Sequence, residues 1–128
     1  MPLHWNDTLG TGHRQIDRQH QELIDLINEF EQMVHTGHEQ DAWALALPRL
    51  QTYVLFHFAT EEALFGQADA AHAARHQAQH RAFVDRLAQW RAAPAVDPRG
   101  LLDYLKTWLV EHIMKTDREL ARQLPGPV

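Results

Sequence analysis

Apolar residues recur every three or four positions along four stretches of the chain, a spacing typical of amphipathic helices. The stretches cover residues about 17–36, 41–65, 69–91 and 98–121, and they follow an N-terminal arm, about 1–15, with little periodicity. No alternation typical of strands competes with this pattern. Four helices of roughly 20 residues with short connections predict an all-α, up-down-up-down antiparallel four-helix bundle. We expect residues 1–128 to form one such domain.

Capping and helix-breaking residues set the predicted boundaries. The expected signals are Asp17 capping the first helix, Gly37 ending it, Gly66 closing the second, Asp97 and Pro98 opening the fourth, and Pro125 and Pro127 ending it. Pro48 conflicts with the pattern, because a proline inside a helix removes a hydrogen bond and clashes with the preceding turn. Either the second helix bends at Pro48, or residues 41–47 form a separate turn.

Composition narrows the classes of function. The net charge of -5, without any basic stretch, argues against binding of nucleic acid. The absence of cysteine excludes disulfides, thiolate zinc sites and iron–sulfur clusters. No apolar run approaches the roughly 20 residues of a membrane span, and the N-terminus lacks the basic and apolar regions of a signal peptide. We therefore expect a soluble cytoplasmic protein without membrane insertion.

Every predicted helix carries a histidine in phase with its apolar positions. Five of the ten histidines and two carboxylates share this register: His20, His57 with Glu61, His76 with His80, and His112 with Asp117. Residues four apart point the same way on a helix, and imidazole is the commonest metal ligand. Buried together, these seven groups would be costly unless something satisfied them. Two divalent cations would do so, and the sequence predicts a two-metal site.

The ligand balance restricts the metal without selecting one. Five nitrogens against two carboxylates suit iron, zinc or copper better than calcium or magnesium. The Glu-x-x-His pairs of ferritin-like di-iron bundles are absent. Spacing alone does not choose among the three metals.

The histidines of the third predicted helix allow two pairings. A single histidine on an apolar face is more often a core residue with a satisfied ring nitrogen than a ligand. His72 and His76 are also four residues apart, but we prefer His76 with His80, because Phe83 and Leu87 continue that face. The remaining histidines, at 4, 13, 35 and 38, lie in the arm or beside the first turn.

Two acidic positions fit the helical register less well. Glu62 follows Glu61 but points about 100° away round the helix, so we expect it to be solvated or to support the site from outside. Asp117 follows His112 by five residues, about 140° round an ideal helix. Its approach to the site needs side-chain reach or a local distortion.

Four stretches of the chain resemble the hemerythrins, specifically the single-domain bacteriohemerythrins. They are residues 16–20 (IDRQH), 57–62 (HFATEE), 76–83 (HQAQHRAF) and 108–117 (WLVEHIMKTD), and Trp5 and Gly12 match the family's N-terminal arm. Phe65 stands where the family often has methionine, and the usual Tyr-Pro before the third helix's histidines is replaced by residues 67–70. These departures remove no ligand position.

The resemblance implies a non-haem di-iron site with an oxo or hydroxo bridge. It implies that His76, His80 and His112 hold one iron, that His20 and His57 hold the other, and that Glu61 and Asp117 bridge both. The iron with two histidines then has an open position for dioxygen. Phe58, Trp108 and Ile113 adjoin the ligands and are expected to wall the oxygen pocket, although ordinary core packing also explains them.

The function implied by the resemblance is reversible dioxygen binding, for transport, storage or delivery to an oxygen-consuming partner enzyme. We expect a monomer that is not an enzyme. The alternatives are an oxygen or redox sensing module, a di-iron enzyme with peroxidase-like or oxidase-like activity, and a zinc-filled or iron-free structural bundle.

Overall fold

The computed structural model describes residues 2–124, and this part of the chain contains four long helices and no strand. Helix α1 spans Arg14–His35 and α3 spans Ala70–Ala92. Helix α2 is continuous through three segments: Glu39–Asp41, the π-helical turn Ala42–Ala46, and Leu47–Glu62. Helix α4 is built the same way from Pro98–His112, the π-helical turn Ile113–Asp117, and Arg118–Gln123.

The helices pack as the antiparallel four-helix bundle that the periodicity predicts. Helix α1 packs against α2 and α4, and α2 packs against α3. The rings of Phe83 and Trp108, with centroids 4.3 Å apart, join α3 to α4. The apolar faces meet in one core, whose fully buried members include Phe30, Leu47, Leu50, Leu87 and Leu101. Among residues 2–124, no helix has the length and apolar character needed to cross a bilayer.

The arm is fastened to the bundle at two places. The backbone of Leu3 exchanges hydrogen bonds with the side chain of Asn28, at 2.9 and 2.7 Å. Further along, the arm forms a short 3-10 turn over Asp7–Leu9. The guanidinium of Arg118 on α4 donates to the backbone carbonyl of Thr8 in this turn. The arm therefore ties the second half of α1 to the last part of α4.

Helix α1 begins three residues earlier than expected, and Asp17 is not its cap. The cap is His13, whose Nδ1 accepts from the backbone N–H of Ile16 at 3.3 Å. Asp17 lies in the first turn instead, where its carboxylate accepts from the N–H and the hydroxyl of Thr11, at 2.8 and 2.6 Å. The carboxylate that was expected to cap α1 therefore binds the arm instead.

The π-helical turn before Pro48 resolves the conflict seen in the sequence. The N–H of Leu47 donates to the carbonyl of Ala42 five residues earlier, so one turn holds an extra residue. Pro48 then falls in the first turn of the α-helical segment that follows, where its missing N–H is tolerated. Helix α2 neither breaks nor stops here; it widens for one turn and continues.

The two glycines expected to end helices differ in the structure. Gly37 follows α1 with a φ of 83°, in the left-handed region expected for a helix-ending glycine. Gly66 does not end α2, which stops at Glu62; it lies in the 3-10 turn Phe65–Gln67 and has no positive φ. Asp97 caps α4 as expected, accepting from the N–H of Gly100 at 3.0 Å. Pro125 and Pro127 lie outside the described residues.

Gly37→Ala should destabilise the metal-free protein by about 1–2 kcal/mol, because an L-residue in the left-handed region carries that cost. A Cβ at this position would meet no atom within 4 Å, so the effect is one of backbone conformation alone. Gly66→Ala is the matched control: the added methyl also meets open space, but φ is not positive. Urea unfolding of both variants measures the difference, and equal losses would contradict the assignment.

Candidate metal centre

The seven side chains predicted from the helical register converge in the bundle core. They form two groups whose candidate ligand atoms lie within 4.8 Å of one another: Glu61, His76, His80, His112 and Asp117 in one, and His20, His57, Glu61 and Asp117 in the other. Both carboxylates belong to both groups. The histidines therefore divide three and two, which is the division that the family resemblance implies.

Asp117 directs one oxygen towards each group of histidines. Its Oδ2 lies 2.7 Å from Nε2 of His20. Its Oδ1 lies 2.9 Å from Nε2 of His76 and 2.8 Å from Nε2 of His112. A carboxylate divided in this way has the orientation needed to bridge two cations.

Glu61 is divided in the same sense. Its Oε2 lies 3.4 Å from Nε2 of His57, and its Oε1 lies 3.0 Å from Nε2 of His80 and 3.3 Å from Nε2 of His76. Glu61 and His57 are one turn apart on α2, so ordinary helical geometry brings them together. The two carboxylates approach from different helices, α2 and α4.

A π-helical turn places Asp117. The N–H of Arg118 donates to the carbonyl of Ile113, five residues earlier, so the turn contains one residue more than an α-helical turn. The five-residue step from His112 to Asp117 then spans little more than one turn, and the two side chains meet, with Nε2 of His112 2.8 Å from Oδ1 of Asp117. Local distortion of the helix, one of the two routes expected from the sequence, is what brings Asp117 to the site.

The buried polar atoms of this cluster fit a metal centre. Within residues 2–124, no hydrogen-bond partner satisfies the Nε2 atoms of His20, His57 and His80 or the carboxylate oxygens of Glu61 and Asp117. All five side chains are at most 2% exposed. Unpaired polar atoms at such depth are costly, and cations between the nitrogens and oxygens would satisfy both sets. Imidazole and carboxylate together suit iron or zinc.

Hydrogen bonds behind His57 fix which of its nitrogens faces the cluster. The hydroxyl of Thr60 donates to the carbonyl of Phe56 at 3.2 Å, so it accepts from Nε2 of Gln19 at 3.1 Å. The Oε1 of Gln19 therefore faces Nδ1 of His57, at 2.7 Å, and takes its proton. The lone pair of His57 lies on Nε2, towards the carboxylates.

Two further histidines are oriented by oxygen acceptors. Nδ1 of His112 donates to Oε1 of Gln79 at 3.0 Å, and the same oxygen accepts from the hydroxyl of Thr116 at 2.7 Å. Nδ1 of His80 donates to Oε2 of Glu62 at 3.0 Å. Glu62 thus supports the site from outside, as expected. Such hydrogen bonds to ligand histidines fix the tautomer and raise ligand basicity.

Burial keeps three of the imidazoles neutral. It lowers the pKa of His57 to about 4 and that of His80 to about 2, and it also lowers the pKa of His20. At pH 7 these rings hold no second proton. Where Nδ1 carries the single proton, as in His57 and His80, a metal ion can bind Nε2 without displacing it.

The pKa values of the two carboxylates shift in opposite directions. Burial and the adjacent Asp117 raise the pKa of Glu61 well above its usual value. Burial also opposes ionisation of Asp117, but His112, His20 and His76 outweigh it and hold the pKa of Asp117 well below its usual value. For His76, burial acts against protonation, yet the carboxylates of Asp117 and Glu61, at 2.9 and 3.3 Å from its Nε2, raise its pKa. In the metal-free site, protonation of Glu61 and His76 therefore offsets part of the negative charge that metal ions would otherwise balance.

A small apolar cavity of about 20 Å³ adjoins the cluster. It touches His57, His112 and Asp117, and Phe58 and Trp108 belong to its wall. One water needs roughly 10–15 Å³ by the same kind of measure, so the space suits a very small molecule. Its remaining lining is mostly aliphatic: Leu23, Ile27, Leu50, Val54, Leu105 and Leu109, with Phe83.

Phe58 and Trp108, two of the three residues expected to wall the pocket, lie against candidate ligand histidines as well as against the cavity. The Phe58 ring stacks on His80, with centroids 3.7 Å apart, and the Trp108 ring stacks on His112 at 4.4 Å. Ile113 is fully buried but does not line the cavity.

Sequence reasoning missed the polar residues behind the ligands, chiefly Gln19, Gln79 and Thr60. Gln19 and Gln79 each precede a predicted ligand, which was the only available signal. Their partners are histidines far along the chain: Gln19 contacts His57 across 38 positions. No periodicity reports such a pairing.

The sequence model of the Hemerythrin HHE cation binding domain matches residues 11–124. The chain belongs to the hemerythrin family. It is 34% identical to the bacteriohemerythrin of Pseudomonas aeruginosa (strain LESB58) over 118 residues, 90% of this chain and 76% of the relative. It is 30% identical to the bacteriohemerythrin of Stenotrophomonas maltophilia (strain R551-3) over 126 residues, 95% and 81% of the two chains. A hemerythrin-like protein of Naegleria gruberi is 27% identical over 116 residues, 91% and 88%.

Zn²⁺ should stabilise the metal-free hemerythrin-family chain, by about 2.7 kcal/mol when free metal is at a hundredfold its Kd. Asp117→Asn should lose most of this gain, because the amide has neither the charge nor the second oxygen. Asp103→Asn is the matched control on the exposed face of α4. Unfolding with metal and with a chelator measures the gain. The same gain in all three proteins would disprove the role of Asp117.

Proposed function

We propose that this chain is a single hemerythrin-like domain, residues 1–128, that binds dioxygen reversibly at a non-haem di-iron site. In the proposed arrangement one iron is held by three histidines and the other by two, with two shared carboxylates and a solvent-derived oxygen bridge. The residues are His76, His80 and His112 for the first iron, His20 and His57 for the second, and Glu61 and Asp117 for both. Two ferrous ions, when bound, supply the electrons that make dioxygen binding reversible.

The observation that carries this proposal is the unequal division of histidines around two carboxylates that face both groups. Equal ligand sets would give two similar metal ions. Here the pair His20 and His57 supplies one nitrogen fewer, so the ion between them has room for an added ligand. The apolar cavity touches His57 and offers space of the right size.

The residues around the cavity exclude water. Phe58 and Trp108 stack flat on His80 and His112, with interplanar angles of 5° and 13°, and leave little room beside the rings. A small apolar ligand pays no desolvation cost on entering such a space, whereas water would find few partners there. The walls therefore favour dioxygen over water.

The donor set favours binding over turnover. Five neutral nitrogens and two carboxylates place little negative charge on the metals, and high-valent iron is stabilised by anionic oxygen ligands. We propose accordingly that the protein carries, stores or delivers dioxygen, as a cytoplasmic monomer, to an oxygen-consuming enzyme.

The decisive experiment follows visible absorption through repeated exposure to oxygen. The protein is loaded with two equivalents of Fe²⁺ under anaerobic conditions, dioxygen is admitted, and the solution is then purged with inert gas. We expect a visible band that appears with oxygen, disappears on purging and returns over several cycles. Irreversible oxidation with consumption of a reductant would favour an enzyme, and failure to retain iron would refute the proposal.

Trp108→Ala should speed irreversible oxidation of the iron-loaded protein several-fold, because it opens the dry wall of the cavity to water and protons. Trp108→Phe should have a smaller effect, since it keeps an aromatic ring against His112. Trp43→Ala is the matched control: Trp43 is a partly buried tryptophan that packs on the core and does not line the cavity. The rate of absorption loss in air measures oxidation. Equal rates for wild type and Trp108→Ala, with iron retained, would contradict the role of Trp108.

A further inference from the structure

His72 is a buried histidine that the site as described does not use. It is 1% exposed and lies one turn before His76 on α3. Its Nε2 lies 3.2 Å from Nδ1 of His76, on the side of that ring away from the carboxylates. His72 belongs to neither group of candidate ligands. The histidine pair that competed in the sequence therefore meets behind the site.

The partner of His76 differs in kind from those of His57, His80 and His112. Each of those three rings donates its Nδ1 proton to an oxygen acceptor, an amide carbonyl or a carboxylate. His76 meets an imidazole nitrogen instead, which accepts in one tautomer and donates in the other. The orientation of His76 therefore depends on which nitrogen of His72 carries its proton.

Glu119, at the surface, determines which nitrogen of His72 carries the proton. Its Oε1 lies 3.4 Å from Nδ1 of His72 and 3.3 Å from the guanidinium of Arg75. A carboxylate can only accept, so it selects the form of His72 with the proton on Nδ1. The free Nε2 of His72 then accepts from Nδ1 of His76, and Nε2 of His76 faces Glu61 and Asp117.

We infer that His72 is a positioning residue that transmits the choice of tautomer from Glu119, at the surface, to the proposed metal ligand His76. The two rings stand perpendicular, at 89°, so the lone pair of one points at the edge of the other. This inference rests on the proposed function for its consequence, which is retention of the metal held by three histidines. The hydrogen-bonded relay itself exists without metal.

The relay is tested first in the metal-free protein. Nitrogen-15 NMR of labelled histidines reports which ring nitrogens carry a proton. We expect Nδ1 protonation at both His72 and His76 in wild type. In Glu119→Ala we expect mixed tautomers at His72. A proton on Nε2 of His72 or an unprotonated Nδ1 of His76 in wild type, or no change in Glu119→Ala, would overturn the inference whatever the protein does with iron.

Iron retention tests the consequence. With two Fe²⁺ loaded anaerobically, release to a ferrous chelator is followed for wild type, His72→Leu and His72→Gln. Loss of the acceptor in His72→Leu should speed release of iron by about 10–100-fold. Gln places an amide oxygen near the former Nε2, so His72→Gln should restore most of the retention. Unchanged release in His72→Leu, or equal defects in both variants, would refute the role of His72.

Glu119→Ala separates the relay from simple packing. It should speed release in the wild-type background but have no added effect in His72→Gln, because the amide does not depend on Glu119 for its acceptor. Asp103→Ala, which removes an exposed carboxylate elsewhere on α4, should change nothing. Additive effects of Glu119→Ala and His72→Gln would contradict the relay. Wild type that takes up no iron would refute the proposed function, while the NMR result would still decide the relay.

Discussion

The burial of seven polar side chains at one place in the core is the constraint on which the rest of the structure depends. Hydrogen bonds from behind direct the Nδ1 protons of His57, His80 and His112 outward, so their Nε2 atoms face the carboxylate oxygens across the core. Such a set is tolerated only where the surrounding helices are held firmly and positive charge can enter. The apolar core around the cluster supplies that support, so the packing of the four helices also holds the site in place.

Helix irregularities serve this requirement. A regular α-helix repeats its face every three or four residues and would leave the side chain of Asp117 away from His112. The turn Ile113–Asp117 admits one extra residue, and the carboxylate reaches the cluster while the apolar residues before and after keep their packing. The turn Ala42–Ala46 uses the same device for Pro48. The π-helical turn in α4 positions a candidate metal ligand, and the one in α2 removes the steric conflict at Pro48.

The hydrophobic periodicity predicted the bundle and identified all seven side chains of the cluster, because ligand and core positions share one helical repeat. The predictions erred where the backbone leaves that repeat or where a distant partner intervenes. Gly66 looked like a helix end, but α2 had already stopped at Glu62. Asp17 was predicted to cap α1, but its carboxylate accepts a hydrogen bond from Thr11 in the arm instead. His72 looked like a rival ligand, and only the three-dimensional arrangement shows that its partner is the rear of His76.

The two divided carboxylates would also govern how the proposed two-metal site fills. Each offers one oxygen to either group of histidines, so a first ion would fix both side chains in the orientation that a second ion requires. Loading of the proposed site would then be positively coupled between the two positions. At limiting metal, molecules would divide into empty and doubly filled populations, and the half-filled form would be scarce. Scarcity of metal would change the number of competent molecules, with little effect on the quality of each.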